Sequence, residues 1–255
     1  MRRRLLCLVL ACAALSGCTT VPTDPAGQAQ FKANNDPLEP MNRRIFAFNE
    51  FMDRILIRPL AEGYGHVLSQ WERDAIRHFL DNINEPVVFA NDLLQDRLND
   101  AVVTAGRFVV NTTVGIAGFR DVAKKNRLPR QSGDFGQTLS IWGFGEGPYL
   151  IIPLLGPSSP RDGVGLGVDV YVLDPYHYLA QEYHYPGAIS ISREILDGLD
   201  QRQRAIEPLD EMKHEAVDYY ASFRSLYRQN RAAELRVGPA AKNAAPTDFY
   251  DDPGK

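Results

Sequence analysis

Residues 134–162 read DFGQTLSIWGFGEGPYLIIPLLGPSSPRD, and the reading of this stretch decides how the rest of the chain is organised. Glycines stand at 143, 145 and 147, immediately before Pro148, so the backbone there can take positive φ and turn sharply with no Cβ penalty. A hairpin or a hinge is expected. Residues 149–155, YLIIPLL, are apolar on every face, yet far shorter than the roughly 20 residues that span a bilayer as a helix. They read either as a core strand between two loops or as a segment that meets lipid. Gly156-Pro157-Ser158-Ser159-Pro160 then turns the chain again and delivers a charged pair, Arg161 and Asp162, beside the greasy run.

On the N-terminal side, Asp36-Pro37-Leu38-Glu39-Pro40 forms an extended lead-in. Apolar residues then recur at helical spacing at Ile45, Phe48, Phe51, Met52, Ile55 and Leu56. So broad a stripe is covered by protein core or by lipid tails, and composition leaves both open. Pro59 is expected to end this helix, with a second over 60–68 and a third opened by Trp71 that carries Ile76, Phe79, Leu80 and Ile83. Asn84-Glu85-Pro86 reads as a turn with proline at the first position of the next helix, which carries Val87, Val88, Leu93 and Leu94. Residues 100–110 make a further helix, 111–118 break the pattern with an Asn-Thr pair and two glycines, and 119–125 restart it.

On the C-terminal side, residues 163–169, GVGLGVD, suit a glycine-lightened strand or a tightly packed helix. Tyr176-His177-Tyr178 recurs seven residues later as Tyr183-His184-Tyr185. Two histidines fall short of a metal set, whereas aromatics with polar tips suit a membrane–water boundary or simple packing. Residues 189–206 read as a helix, Pro208 as punctuation, and 210–235 as a longer helix. Its one face holds Met212, Tyr219, Phe223 and Leu226. The other holds Lys213, Glu215, Asp218, Arg224, Arg228 and Arg231, and is expected to be wet and available to a partner. Residues 237–255 lack periodicity and are expected to be disordered.

The chain begins MRRRLLCLVLACAALSGC, a charged start, an apolar run and small residues before a cut. Leu15-Ser16-Gly17-Cys18 resembles the bacterial lipobox, which implies cleavage after residue 17 and acyl chains on Cys18. Each buried CH₂ of such chains contributes about 0.8 kcal/mol of anchoring. Thr19, where inner-membrane retention favours Asp, implies sorting to the outer membrane. Residues 18–35 then form a lipidated flexible linker, 36–236 the body and 237–255 a tail. Loss of Arg2, Arg3 and Arg4 with the signal takes the net charge from −4 to −7, which speaks against a nucleic-acid partner. Cys7 and Cys12 leave as well, so no disulfide can form within the mature chain, and stability must come from burial.

Covalent chemistry finds little support. Asp134-Phe135-Gly136 copies a kinase tripeptide without the catalytic loop or phosphate loop that gives it meaning. Neither glycine alternation has the G-x-G-x-x-G spacing of a nucleotide site, and there is no G-x-S-x-G elbow and no H-E-x-x-H. Ser158 or Ser159 with a distant histidine and Asp162 is the one hydrolase arrangement left to consider.

Seven ordered blocks carry a resemblance. They are Asp36-Pro37-Leu38-Glu39-Pro40-Met41-Asn42-Arg43 with Phe46 and Phe48-Asn49; Asn84-Glu85-Pro86 with Asn91-Asp92-Leu93-Leu94-Gln95; Arg107-Phe108; Asn111-Thr112-Thr113-Val114-Gly115; Asp134-Phe135-Gly136-Gln137-Thr138-Leu139; Gly143-x-Gly145-x-Gly147-Pro148-Tyr149; and Leu155-Gly156-Pro157-Ser158-Ser159 with Arg161-Asp162. With the lipobox, they make the chain similar to the MlaA/VacJ family of outer-membrane lipoproteins, which remove misplaced phospholipid from the outer leaflet. The resemblance implies a mainly α fold, a ring-like bundle of short amphipathic helices around an amphipathic channel, with a glycine-rich hairpin. It implies a body in the periplasmic leaflet of the outer membrane, beside a trimeric porin, that passes phospholipid to a soluble periplasmic carrier facing the long C-terminal helix. Gly143, Gly145, Gly147 and Pro148 match the family's channel gate, and Asn42, Phe48 and Asn49 a segment linked with channel control.

Physical reasoning adds that a head group crossing an apolar interior needs polar partners, a role expected of Arg161 and Asp162. Cofactors are expected to be none beyond the acyl chains on Cys18, with phospholipid as cargo, no metal and no enzymatic activity. Two rivals stay open. One is a scaffolding lipoprotein docked to a porin with no lipid path of its own, and the other is an esterase or phospholipase.

Overall fold

A computed structural model of the chain describes residue 28, residues 34–182 and residues 188–236. The signal, most of the linker, Tyr183-His184-Tyr185 and the tail lie outside the described residues. The elements in chain order are α1 (Glu39–Met52), α2 (Arg58–Val67), α3 (Gln70–Leu94), α4 (Leu98–Thr113), α5 (Val122–Lys125), α6 (Phe135–Ile141), β1 (Leu150–Ile152), β2 (Gly156–Ser158), α7 (Pro160–Val168), α8 (Pro175–Glu182), α9 (Ala188–Arg204), α10 (Ile206–Glu215) and α11 (Tyr219–Arg236). The fold is mainly α, as expected. Among the described residues no helix is long and apolar enough to cross a membrane.

Two prolines expected to break helices do not. Pro59 sits at the start of α2, and α1 runs into α2 through one wide π turn, Asp53–Ile57. There the Arg58 N–H donates to the Asp53 carbonyl, five residues back, and this wider turn makes room for the ring of Pro59. Pro86 lies inside α3, which runs unbroken for 25 residues from a Ser69–Glu72 capping box. A mid-helix proline costs about 3 kcal/mol, and the packing of α3 along α4 offsets it. That packing is polar at its centre. Arg107, 2% exposed, donates from Nε to Glu85 at 2.8 Å, from Nη1 to the Leu128 carbonyl at 2.7 Å and from Nη2 to Asp121 at 3.1 Å.

Residues 163–169 resolve as helix: α7 is capped by Ser159, whose Oγ accepts from the Asp162 N–H, and continues into a second π turn, Asp169–Leu173. The glycines serve a helix crossing. A Cβ on Gly165 would lie 2.4 Å from the Gly136 nitrogen, so α6 and α7 meet backbone to backbone where Asp-Phe-Gly and Gly-x-Gly face each other. The hairpin is β1 and β2, paired antiparallel with Ile151 opposite Pro157. It follows the glycine segment instead of containing it. Residues 143–147 are an irregular loop with Gly143 at φ +92 and Gly147 at φ +75, and the turn of the hairpin falls at Pro153-Leu154-Leu155.

The C-terminal helix differs from its expectation in two ways. Pro208 lies within the first turn of α10, and the chain breaks at 216–218, where the Asp218 carboxylate accepts from the Ala221 N–H to start α11. The charged face is not a free wet surface. Arg224 reaches Asp36 at 2.6 Å, Arg43 reaches Asp218, Lys213 pairs with Glu50, and Arg231 reaches Asp134 and Asp162. α11 crosses the starts of α1, α6 and α7, where acids gather as caps and first-turn residues, and its cations answer them.

Candidate functional site

Polarity runs the wrong way for a water-soluble protein. The largest fully buried side chains among the described residues are Arg107, Asn42, Asn91, Thr104, Thr138, Asp92, Asp174 and Asp200. Meanwhile the α1–α2 stripe of Phe48, Phe51, Ile55, Leu56 and Leu60 stands 46–53% exposed. Leu154 and Leu155 at the hairpin tip, and Trp142 and Phe144 around the glycine loop, are exposed too. Of the stripe whose covering was open, Phe48, Phe51, Ile55 and Leu56 are therefore not covered by protein core, whereas Ile45 packs inward and Met52 is half-buried. Contiguous apolar surface of this kind needs a non-aqueous neighbour.

Inside this coat, β1 is held by α1. Asn42, wholly buried, donates from Nδ2 to the Tyr149 carbonyl at 3.0 Å and to Asp36 at 2.8 Å, while its Oδ1 accepts from the Ile151 N–H at 3.0 Å. These are the outward-facing backbone groups that a third strand would take, so one amide side chain closes the free edge of the hairpin. Asn49, two helical turns on, donates to the Ile152 carbonyl at 3.1 Å and accepts from the Leu154 N–H at 2.8 Å. Tyr149 and Ile151 complete the clamp by packing with Tyr220, Ile45, Phe46 and Tyr227. Phe48 is half exposed on the greasy face, away from the clamp. In the loop, Glu146 accepts from Asn35 at 3.0 Å and pairs with Arg228 at 3.4 Å, and the Asn35 amide also reaches the Gly147 carbonyl at 2.7 Å. Gly147 lies under Pro160, whereas Gly145 has open space and no positive φ.

An open cavity of about 1110 Å³ lies between α3, the segment 121–134, the α7 end and α9. Its walls are largely charged, and include Arg77, Asp81, Arg130, Asp169, Arg193 and Asp197. Burial pushes the Asp169 carboxyl up to about 6, against hydrogen bonds from the Phe135 N–H and Asn91. Arg161 and Asp162 are not on this wall. They sit under α11, where Asp162 accepts from Arg231 at 2.7 Å, from Arg161 at 3.1 Å and from Tyr227 at 3.2 Å. Burial opposes ionisation of Asp162, but the bonds from Arg231 and Arg161 outweigh it and hold the carboxyl at about 2. The pair thus frames the fold. Ser159 caps α7 and Ser158 donates to the Ser159 carbonyl. The cavity charges escaped sequence reading because they come from four separated segments, each of which alone resembles an ordinary solvated face.

A model of the MlaA lipoprotein family matches residues 34–234. The chain belongs to the MlaA lipoprotein family. It is 30% identical over 233 residues to the intermembrane phospholipid transport system lipoprotein MlaA of Escherichia coli strain K12, covering 90% of this chain and 87% of that one. It is 29% identical over 256 residues to the protein of the same name from Haemophilus influenzae, covering 98% of each. An uncharacterised protein of Rickettsia felis is 32% identical over 201 residues, covering 79% of this chain and 78% of that one. Among solved structures, one described under the words "Structural basis for maintenance of bacterial outer membrane lipid asymmetry" superposes with a TM-score of 0.69 at 27% identity, covering 78% of this chain and 98% of that chain.

Proposed function

We propose that this MlaA-family lipoprotein works in intermembrane phospholipid transport and maintains outer-membrane lipid asymmetry by taking phospholipid from the outer leaflet through its own body. The inverted polarity carries this reading: a greasy exterior seats the body among acyl chains, and a charged cavity between α3 and α9 offers head groups a polar route. Acyl chains on Cys18 hold the protein at the periplasmic leaflet, a trimeric porin borders it, and a soluble periplasmic carrier takes the lipid away. The loop bearing Gly143, Gly145, Gly147 and Pro148 acts as the gate, and Asn42 and Asn49 set its resting position through β1.

The test uses a bacterium that lacks its own such lipoprotein. The wild-type chain is expected to lower outer-leaflet phospholipid, and variants with bulky residues at Gly143 and Gly147 to fail. Full rescue by a chain that retains no phospholipid on purification would instead return the scaffold reading.

A further inference from the structure

The charges that line the cavity are not equally engaged. Arg77 and Arg204 are committed to Asp200, and Arg193 to Asp174, both acids wholly buried. Two acids have capacity left. Asp197 on α9 accepts from the Gln201 amide at 2.7 Å and makes no ion pair among the described residues. Asp81 on α3 pairs with Arg130 at 2.8 Å, but that arginine is 54% exposed, and such pairs are weak. Asp81 and Asp197 lie close enough for each to bear on the other's charge, and burial followed by that repulsion pushes the Asp197 carboxyl up. The same cavity is also lined by Lys124, Arg127 and Arg130. Lys124 and Arg127 make no ion pair with a described residue. Among the described residues, the cavity thus sets two acids, one held only by a half-exposed arginine and the other in no ion pair, beside two cations without an ion pair of their own, with Arg77, His78 and Arg204 bearing on Asp81 from further off.

We propose that the cavity selects zwitterionic amine–phosphate head groups, with the ammonium taking Asp81 and Asp197 and the phosphate taking Lys124, Arg127 and the guanidinium of Arg130. The exchange is neutral in charge. The incoming ammonium replaces Arg130 at Asp81, and the freed Arg130 meets the incoming phosphate, so the swap adds no net charge to the cavity. An anionic head group brings no cation, and it would draw Arg130 away from Asp81 with nothing to take its place in contact with that acid. This deepens the transport reading above and rests on it.

The test incubates the full acylated chain, in detergent, with equal amounts of phosphatidylethanolamine and phosphatidylglycerol in mixed micelles, followed by repurification and mass spectrometry of the retained lipid. Wild type is expected to hold phosphatidylethanolamine in about fivefold excess, the size of one partly exposed ion pair. Asp81→Asn with Asp197→Asn is expected to return the ratio to that of the mixture. Asp197→Asn alone is expected to move it part of the way, and it breaks no ion pair of the frame, so its folding is secure. Wild type at the input ratio, or a double variant that keeps the excess, overturns head-group selection while leaving transport standing. A wild-type chain that retains no lipid of either kind overturns the transport reading, and this inference with it.

Discussion

The clamp on β1 makes a quantitative prediction. Asn42→Leu keeps most of the side-chain volume but removes every polar atom, leaving the Tyr149 carbonyl, the Ile151 N–H and one Asp36 oxygen without their partner. Tyr149, Ile151 and Asp36 are all buried, so water cannot replace the lost bonds. At about 1–3 kcal/mol for each of the three stranded groups, the loss comes to about 3–9 kcal/mol, a large share of the roughly 5–15 kcal/mol that holds a domain together. Asn49→Ala strips two bonds, but Leu154 is 57% exposed and water takes over there, so its cost is about 1 kcal/mol or less. Asn42→Asp should not rescue, because it keeps the acceptor for Ile151 yet sets a second carboxylate against Asp36. Urea unfolding of the detergent-solubilised chain measures the two losses, and hydrogen exchange over residues 149–154 reports whether the hairpin loosens. Equal losses for Asn42→Leu and Asn49→Ala, or unchanged exchange in Asn42→Leu, would refute the reasoning.

Three further outcomes are expected. Arg231→Met takes one cation from the partly exposed Asp134 and one of two from Asp162, which keeps Arg161, and should cost about 2–3 kcal/mol at neutral pH, below the cost of breaking a fully buried pair, read by chemical denaturation. Both carboxyls are depressed in the folded state, Asp162 to about 2, so this stabilisation is full above the unfolded value near 4 and is lost as pH falls through about 2; the gap between wild type and Arg231→Met should therefore narrow on acidification. Gly165→Ala drives a methyl into the Gly136 backbone and should lower the melting temperature sharply, whereas Gly167→Ala, with nothing within 4 Å, should leave it level or slightly raised. Finally, in a Cys18→Ala chain, replacing Phe51 and Ile55 by Ser should weaken vesicle partition by about 1.5–3 kcal/mol per residue while leaving the unfolding midpoint in detergent-free buffer nearly unchanged, since both side chains face outward.

Much of the helical architecture was legible because its signals are local. The helix opened near Trp71 and the helix over 100–110 stand within α3 and α4 because apolar periodicity repeats from one turn to the next, whereas the caps at Ser69, Asp134 and Ser159 went unread and α6 was not expected. Pro59 and Pro86 misled for the complementary reason. A proline announces a missing hydrogen bond, but a wide turn at Asp53–Ile57 or the polar packing of α3 on α4 can absorb that loss, and neither is visible along the chain. The face of α11 misled likewise, since Arg224 and Arg231 look solvated until Asp36, Asp134 and Asp162 arrive from distances of 69 residues and more.

The sequence by itself determined that this is a chain of short amphipathic helices with a short apolar run beside a glycine-rich turn, because periodicity and composition are properties of neighbouring residues. It also carried the blocks that place the chain in its family. Only the tertiary structure decided which way each stripe faces. Phe51 outward and Asn42 inward is a choice made by what packs against α1, and packing is a relation between segments far apart in the chain. The cavity that gathers Asp81, Asp197, Lys124 and Arg127 belongs to the same class of fact, since a charge becomes a binding group only when folding decides what stands near it.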